Sequence, residues 1–207
     1  MESEFWLERW EKGEIGFHQS GTHHFLEKHS AEAFFSEDKV LVPLCGKTLD
    51  MLYLSGRVKK VFGIELSQKA VTDFFSENSL EAIQVDEKIF RAGNISLYCG
   101  DFFDFDAETF GRIDSVYDRA ALVALPESMR RKYARRISSL LPSGGRMLLV
   151  TFEFGTGVRQ GPPFSISPDA VKEVYENDFQ IRLLDTDKRT ESRFGEILEH
   201  CFLLTRH

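Results

Sequence analysis

The sequence predicts an α/β fold of the Rossmann-like, doubly wound type, in which a mostly parallel sheet of seven strands ends in an antiparallel strand. Short apolar segments alternate with segments of helical periodicity, and parallel strands need such crossover helices between them. The last two extended segments follow one another without room for a helix, so we expect them to pair antiparallel. We predict strands near 39–44, 60–65, 95–99, 113–117, 145–153, 179–187 and 196–205, and helices near 48–56, 67–78, 126–141 and 168–177.

Length and composition predict one globular domain over residues 1–207. The 26 Lys and Arg residues against 33 Asp and Glu residues give a formal net charge of −7, which disfavours a nucleic-acid partner. The three cysteines have no C-x-x-C spacing, and the histidines between residues 18 and 29 have no carboxylate or cysteine partner at ligand spacing. We therefore predict no metal site.

The N-terminus is acidic and then aromatic, unlike a signal peptide, and no apolar run reaches the ~18 residues of a membrane span. These observations predict a cytoplasmic protein that does not contact a membrane. We expect a monomer that acts on a small molecule.

Residues 1–37 precede the first predicted strand and form an N-terminal aromatic cap within the domain. Trp6 is expected to belong to the core. Trp10 and Phe17 lie close to glycines where the chain can bend, so both are candidates for a lid over a bound cofactor. Such a lid would exclude water, and its aromatic faces would attract a positively charged sulfur.

The first predicted strand runs into a turn with a single glycine, Gly46, and the second strand ends at Glu65, nineteen residues later. In nucleotide-binding sheets, a carboxylate at this point accepts hydrogen bonds from ribose hydroxyls. The turn lacks the G-x-G-x-x-G spacing that brings three glycines against a pyrophosphate. Leu44, Gly46 and Glu65 are therefore candidate contacts for S-adenosylmethionine, which has a ribose but no phosphate, with a dinucleotide as the alternative.

Two further loops follow predicted strands, at the edge of the sheet where ligands bind. Asp101 could reach an adenine amino group and Phe102 could stack on the ring, although a turn residue and a core phenylalanine are equally good interpretations. Asp118 and Arg119 follow the next strand. They form either an internal ion pair or a pair beside the reacting methyl group, where Arg119 binds an anionic acceptor or the cofactor carboxylate.

The segment 155–164 combines several glycines with Pro162, Pro163 and Phe164. It is either a plain surface loop or one wall of the acceptor site, in which Pro163 and Phe164 contact the acceptor. The predicted helix over 126–141 carries five basic residues, which we interpret as a solvated charged face. These residues are Arg130, Arg131, Lys132, Arg135 and Arg136.

Several spaced motifs occur in one order along the chain: Trp10 with Gly13, Phe17-His18-Gln19, Pro43 to Asp50, Gly63-Ile64-Glu65, Gly100 to Phe103, Tyr117 to Pro126, and Gly161 to Phe164. Together they resemble the thiopurine S-methyltransferases, particularly the bacterial ones. The similarity extends from about Trp6 to Thr205, nearly the whole chain. A departure is Tyr117, where some relatives have tryptophan.

The resemblance implies a class I S-adenosylmethionine-dependent methyltransferase of EC class 2.1.1 that methylates aromatic and heterocyclic thiols such as thiopurines. S-adenosyl-L-homocysteine would be the product of the cofactor. Asp118 and Arg119 resemble the catalytic pair nearest the acceptor, and Phe17, Arg119, Pro163 and Phe164 are our candidate acceptor contacts. The expected cofactor contacts are Trp10, Phe17, Leu44, Gly46, Glu65, Asp101, Phe102 and Arg119.

Direct transfer to a thiolate needs no strong base when the thiol ionises readily, although Asp118 could accept a proton. The family contains or adjoins enzymes for halide, thiocyanate, selenium and tellurium species, so methylation of these acceptors stays an alternative. A nicotinamide-dependent oxidoreductase and a non-catalytic adenosyl-binding regulator are the alternatives from other classes.

Overall fold

The computed structural model of the protein describes residues 3–155, 161–191 and 195–207. The chain consists of two compact units, Met1–Ile113 and Asp114–His207. None of the helices among these residues has the length and apolarity that a membrane span requires.

The first unit has a five-stranded arrangement in the order β3-β4-β5-β2-β1. The strands β1, β2 and β5 are parallel, whereas β3 and β4 form an antiparallel hairpin whose second strand pairs with β5. The elements are α1 (Ser3–Glu11), α2 (His24–Ala33), β1 (Lys39–Pro43), α3 (Asp50–Ser55), β2 (Lys60–Glu65), α4 (Gln68–Glu77), β3 (Ile83–Asp86), β4 (Ile89–Ala92) and β5 (Ile95–Cys99).

Close packing between β2 and its neighbours explains why Gly63 interrupts an otherwise apolar strand. A Cβ atom at Gly63 would lie 2.2 Å from the Leu97 side chain and 2.7 Å from the Cys45 sulfur. Both distances are far shorter than van der Waals contact, so a larger residue would force these groups apart. The glycine therefore lets β2 lie directly beneath the turn that follows β1.

The second unit has strands in the order β6-β7-β9-β8. The pair β6 and β7 is parallel, and β9 runs antiparallel to both β7 and β8. The central strand β7 is an apolar run that is fully buried from Met147 to Val150, as expected for a strand covered on both faces. The elements are β6 (Ser115–Asp118), α5 (Ala121–Ala124), α6 (Glu127–Leu140), β7 (Arg146–Phe154), α7 (Pro168–Tyr175), β8 (Phe179–Glu191) and β9 (Gly195–Arg206).

The predicted fold class is confirmed, because parallel strands alternate with helices and the chain ends in an antiparallel pair. The predicted number of seven strands is wrong, since the described residues contain nine. The two additional strands are the hairpin β3–β4. Each of these strands has only four residues, so the alternation of apolar and polar side chains in β3 is too short to distinguish a strand from a loop.

Candidate functional site

The turn after β1 is a tight, glycine-dependent structure. Leu44 and Gly46 both have left-handed backbone angles, with φ of 48° and 53°. The Cys45 N–H donates to the Ile64 carbonyl oxygen at 3.0 Å, which ties the turn to the end of β2. This geometry explains why a glycine occurs at position 46, because a left-handed φ angle strains most other residues.

Glu65, the last residue of β2, is a buried carboxylate that joins two loops. Its Oε2 accepts the Gly46 N–H at 2.8 Å, and its Oε1 accepts the Ser67 N–H at 2.8 Å. Burial raises the pKa of Glu65 above its usual value, and the backbone N–H donors oppose that rise. Each carboxylate oxygen can accept a second bond, so the arrangement fits the hydroxyl donors of a ribose.

Trp10 lies against this turn, within the first unit. A Cβ atom at Gly46 would come within 3.1 Å of the Trp10 indole, so the ring covers the glycine directly. Phe17 packs edge-on against Trp10, with ring centres 5.6 Å apart, and is itself partly exposed. The structure thus brings together Trp10, Phe17, Gly46 and Glu65, four of the residues predicted to contact the cofactor.

The loop after β5 is attached to the same strand end. The Gly100 N–H donates to the Glu65 carbonyl oxygen at 2.8 Å, and the Asp101 Oδ1 accepts the Phe103 N–H at 2.7 Å. Phe102 is only 3% exposed, so its ring belongs to the core and does not offer a face for stacking. For Phe102 the core interpretation is therefore favoured over adenine stacking.

Two polar residues near the turn have structural partners that the sequence did not indicate. Lys47 pairs with Glu77 at 2.6 Å, which fixes the start of the α3 segment against the end of α4. Asp50 is buried and accepts the His23 N–H at 2.7 Å, which attaches the start of α2 beside the turn. Neither contact follows from a sequence spacing, because both join residues about thirty positions apart.

In the second unit, Asp118 at the end of β6 is fully buried. Its Oδ1 accepts the N–H groups of Ala121 at 2.9 Å and Leu122 at 3.3 Å, and its Oδ2 accepts the Tyr133 hydroxyl at 2.7 Å. Burial raises the pKa of Asp118 to about 6, although these three hydrogen bonds oppose the rise. The carboxylate therefore fixes the loop that carries half-buried Arg119 and does not reach outward itself.

The segment ending in Phe164 packs beside α5. The Phe164 N–H donates to the Val123 carbonyl oxygen at 2.7 Å, and the Phe164 ring folds back over Gly161, which has a φ of 84°. Pro163 and Phe164 are both half-buried. The predicted segment 155–164 is described only at its ends, because residues 156–160 lie outside the described residues.

Arg130 differs from the solvated face predicted for its helix. It is half-buried, its Nε donates to the Leu125 carbonyl oxygen at 3.1 Å, and its guanidinium carbon lies 5.5 Å from the centre of the Phe164 ring. Sequence analysis missed this residue because the five basic residues of the helix are chemically alike. Only the packing of α6 shows that Arg130, unlike a solvated residue, lies on the inner side of the helix.

A sequence model of the thiopurine S-methyltransferase family matches residues 1–203 of the chain. The chain is 42% identical over 189 residues to the thiopurine S-methyltransferase of Pseudomonas fluorescens strain Pf0-1, with 89% of this chain and 87% of that protein covered. It is 37% identical to the protein of the same name from Pseudomonas putida strain KT2440, and both chains are covered in full.

Solved structures show the same fold at low sequence identity. A SAM-dependent methyltransferase from Anabaena variabilis matches with a TM-score of 0.69 and 16% identity, covering 99% of this chain and 95% of that chain. The magnesium protoporphyrin IX methyltransferase of Synechocystis PCC 6803, crystallised with bound SAH, matches with a TM-score of 0.61 and 14% identity over 88% of this chain and 80% of that chain.

Proposed function

We propose that this chain, which belongs to the thiopurine S-methyltransferase family, transfers the methyl group of S-adenosylmethionine to an aromatic or heterocyclic thiol. The observation that carries the proposal is the Glu65 carboxylate, held by backbone N–H groups beside a one-glycine turn. This donor and acceptor pattern suits a ribose without a pyrophosphate. The match to the family along nearly the whole chain supports the same cofactor.

The first unit would hold the adenosyl part of the cofactor. Glu65 would accept the ribose hydroxyls, and the Asp101 carboxylate would accept the adenine amino group. Leu44 and Gly46 would contact the cofactor through the turn, while Trp10 and Phe17 cover that turn and limit the access of water. When bound, S-adenosylmethionine supplies an electrophilic methyl group on a positively charged sulfur.

The second unit would bind the acceptor. Arg119 would pair with an anionic group, and Pro163 and Phe164 would form an apolar wall against a flat ring. Asp118 would act as a positioning residue, since its oxygens already accept three hydrogen bonds from the chain. This role replaces the proton-accepting role expected from the sequence, and thiols that ionise readily do not need such a base.

The proposal also includes the size of the acceptor, the number of domains, the oligomeric state and the cellular location. The net charge of −7 supports a small-molecule acceptor over a nucleic acid. A single domain, a monomer and a cytoplasmic location stay predictions. Size-exclusion chromatography and cell fractionation would test the last two of these.

Two measurements test the proposed function. Calorimetric titration with S-adenosylhomocysteine and with NAD separates a methyltransferase from a nicotinamide-dependent enzyme, and we expect binding of the first compound only. A methyl-transfer assay against thiopurines, thiophenols, thiocyanate, halides, selenite and tellurite then identifies the acceptor class. Binding of S-adenosylhomocysteine without turnover of any acceptor would favour a regulator and defeat the proposal.

Arg119→Ala tests the assignment in the second unit. Loss of a guanidinium that binds an anionic group should raise the acceptor KM or the cofactor Kd by about tenfold. Arg135→Ala, on the exposed side of α6, serves as the control and should leave both constants unchanged. Unchanged kinetics in Arg119→Ala would remove Arg119 from the site.

A further inference from the structure

Arg130 contacts two parts of the second unit, which are the connection between α5 and α6 and the predicted acceptor wall at Phe164. Its Nε donates to the Leu125 carbonyl oxygen, in the connection between α5 and α6, at 3.1 Å. Its guanidinium carbon lies 5.5 Å from the centre of the Phe164 ring. The Phe164 N–H in turn donates a hydrogen bond to the Val123 carbonyl oxygen of α5. The bond from Nε fixes the plane of the guanidinium, so the orientation of the two terminal amino groups is set by the fold.

Among the described residues, the positive charge of Arg130 has the Glu127 carboxylate nearby on the same helix but forms no salt bridge. The adjacent Arg131 is exposed and forms a salt bridge with Glu173, whereas Arg130 forms none within residues 3–155, 161–191 and 195–207.

Partial burial makes this charge receptive to an anion. Burial lowers the pKa of Arg130 from its usual value, and the Glu127 carboxylate on the same helix opposes that effect. An arginine stays protonated in proteins, so the cost of partial desolvation is borne by a charge that no salt bridge among the described residues neutralises. A carboxylate that binds the terminal amino groups would offset this cost through charge-assisted hydrogen bonds.

The neighbouring surface suggests what else the anion carries. Phe164 offers a half-buried aromatic ring next to the guanidinium, and Pro163 precedes it. An aromatic acceptor that bears a carboxylate can pack its ring on Phe164 and pair its carboxylate with the Arg130 guanidinium at the same time. On the basis of the proposed function, we infer that Arg130 selects acceptor thiols whose aromatic ring also carries a carboxylate.

The test compares two acceptors that differ only in the anionic group, 4-mercaptobenzoate and thiophenol, with the full chain and S-adenosylmethionine. Arg130→Met keeps an apolar stem but loses the charge, so it should raise the KM for mercaptobenzoate at least tenfold and the KM for thiophenol less than twofold. Arg131→Met is the matched control on the next residue of the same helix. It should leave both KM values within twofold of the unmodified chain.

Arg130→Lys separates charge recognition from a structural role. Lysine keeps the cation but not the planar fork, so it should restore part of the preference for mercaptobenzoate, with a KM between those of the unmodified chain and Arg130→Met. An equal rise in KM for both acceptors in Arg130→Lys would show that Arg130 only supports the loop, and it would overturn the inference. This variant also decides the question if thermal unfolding shows that Arg130→Met is not folded.

The unmodified chain distinguishes failure of this inference from failure of the proposed function. If it methylates neither of these thiols nor any other acceptor of the panel, the proposed function fails. If it methylates both with equal kcat/KM, the proposed function stands and the role of Arg130 in selecting carboxylates is wrong. Inhibition of thiophenol methylation by benzoate, but much less by benzamide, would support the inference independently of turnover of the charged thiol.

Discussion

Glu65 and Asp118 occupy equivalent positions in the two units, because each is a buried carboxylate at the last residue of a parallel strand. Their partners differ. Glu65 accepts backbone N–H groups, from Gly46 in the turn after β1 and from Ser67 at the start of α4, with a further contribution from the Leu66 N–H. Asp118 accepts two backbone N–H groups at the start of α5 and the Tyr133 hydroxyl from α6.

This difference separates a carboxylate that can bind a ligand from one that supports a loop. Glu65 is held by backbone N–H groups alone, and a carboxylate has about four acceptor positions, so it can accept a further hydrogen bond from a ligand hydroxyl. Asp118 has three donors and no exposed surface, so its charge is satisfied from inside the protein. The same residue type at the same end of a strand can therefore have different roles, and its partners decide which one.

Asp118→Ala should cause the largest effect, and that effect should be on stability. The substitution leaves the buried Tyr133 hydroxyl and the N–H groups of Ala121 and Leu122 without their acceptor. Such losses cost about 3 kcal/mol or more in free energy of unfolding, measured by urea denaturation.

Glu173→Ala is the control in the same unit, because Glu173 belongs to an exposed salt bridge with Arg131. Its removal should change the free energy of unfolding by about 0.5 kcal/mol or less. If Asp118→Ala costs no more than this control, the buried network does not hold the loop.

Glu65→Gln should affect binding more than folding. Glutamine keeps the shape, but its amide nitrogen cannot accept an N–H from Gly46 or Ser67, and it cannot accept a ribose hydroxyl. We expect the Kd of S-adenosylhomocysteine, measured by calorimetry, to rise by about 30-fold, which corresponds to about 2 kcal/mol.

Glu37→Gln is a suitable control for this substitution, since Glu37 is an exposed acid paired with Lys59 on the surface of the same unit. It should leave the Kd unchanged. Equal affinity of Glu65→Gln and the unmodified chain would show that Glu65 only shapes the turn and does not contact the cofactor.

The sequence predicted the parallel strands well, because burial on both faces requires continuous apolar runs. The predictions 60–65 and 95–99 coincide with β2 and β5. The hairpin β3–β4 was missed because each of its strands has only four residues. A segment of this length carries too little of the alternating pattern on which strand prediction depends.

Contacts in the candidate site could be predicted where the order of strands and turns determines them, and could not be predicted where they depend on how a helix packs. The proximity of Gly46 and Glu65 followed from strand, turn, helix and strand in succession, and the hydrogen bond between them agrees with it. The contact between Asp118 and Tyr133 could not be predicted, since it depends on how α6 packs in its unit. The burial of Phe102 and Arg130 depends on packing in the same way.

The smallest expected effect is a pH dependence that distinguishes Asp118 from a solvated carboxylate. The pKa of Asp118 is about 6 in the folded chain and has its usual value of 3.8 when unfolded, so the folded state binds the proton more tightly. Stability from this group is therefore gained as the pH falls through 6 and lost as it rises. Between pH 7.5 and pH 5 the gain should be about 1.4 kcal/mol.

Asp118→Asn isolates this contribution, because asparagine does not titrate while the other ionisable groups are the same in both proteins. The free energy of unfolding of the unmodified chain, relative to Asp118→Asn, should increase by about 1.4 kcal/mol from pH 7.5 to pH 5. A difference that stays constant across this range would mean that the Tyr133 hydroxyl and the two N–H groups stabilise the charged carboxylate fully. In that case Asp118 would resemble a solvated acid in its titration, and burial alone would not distinguish it from Glu65.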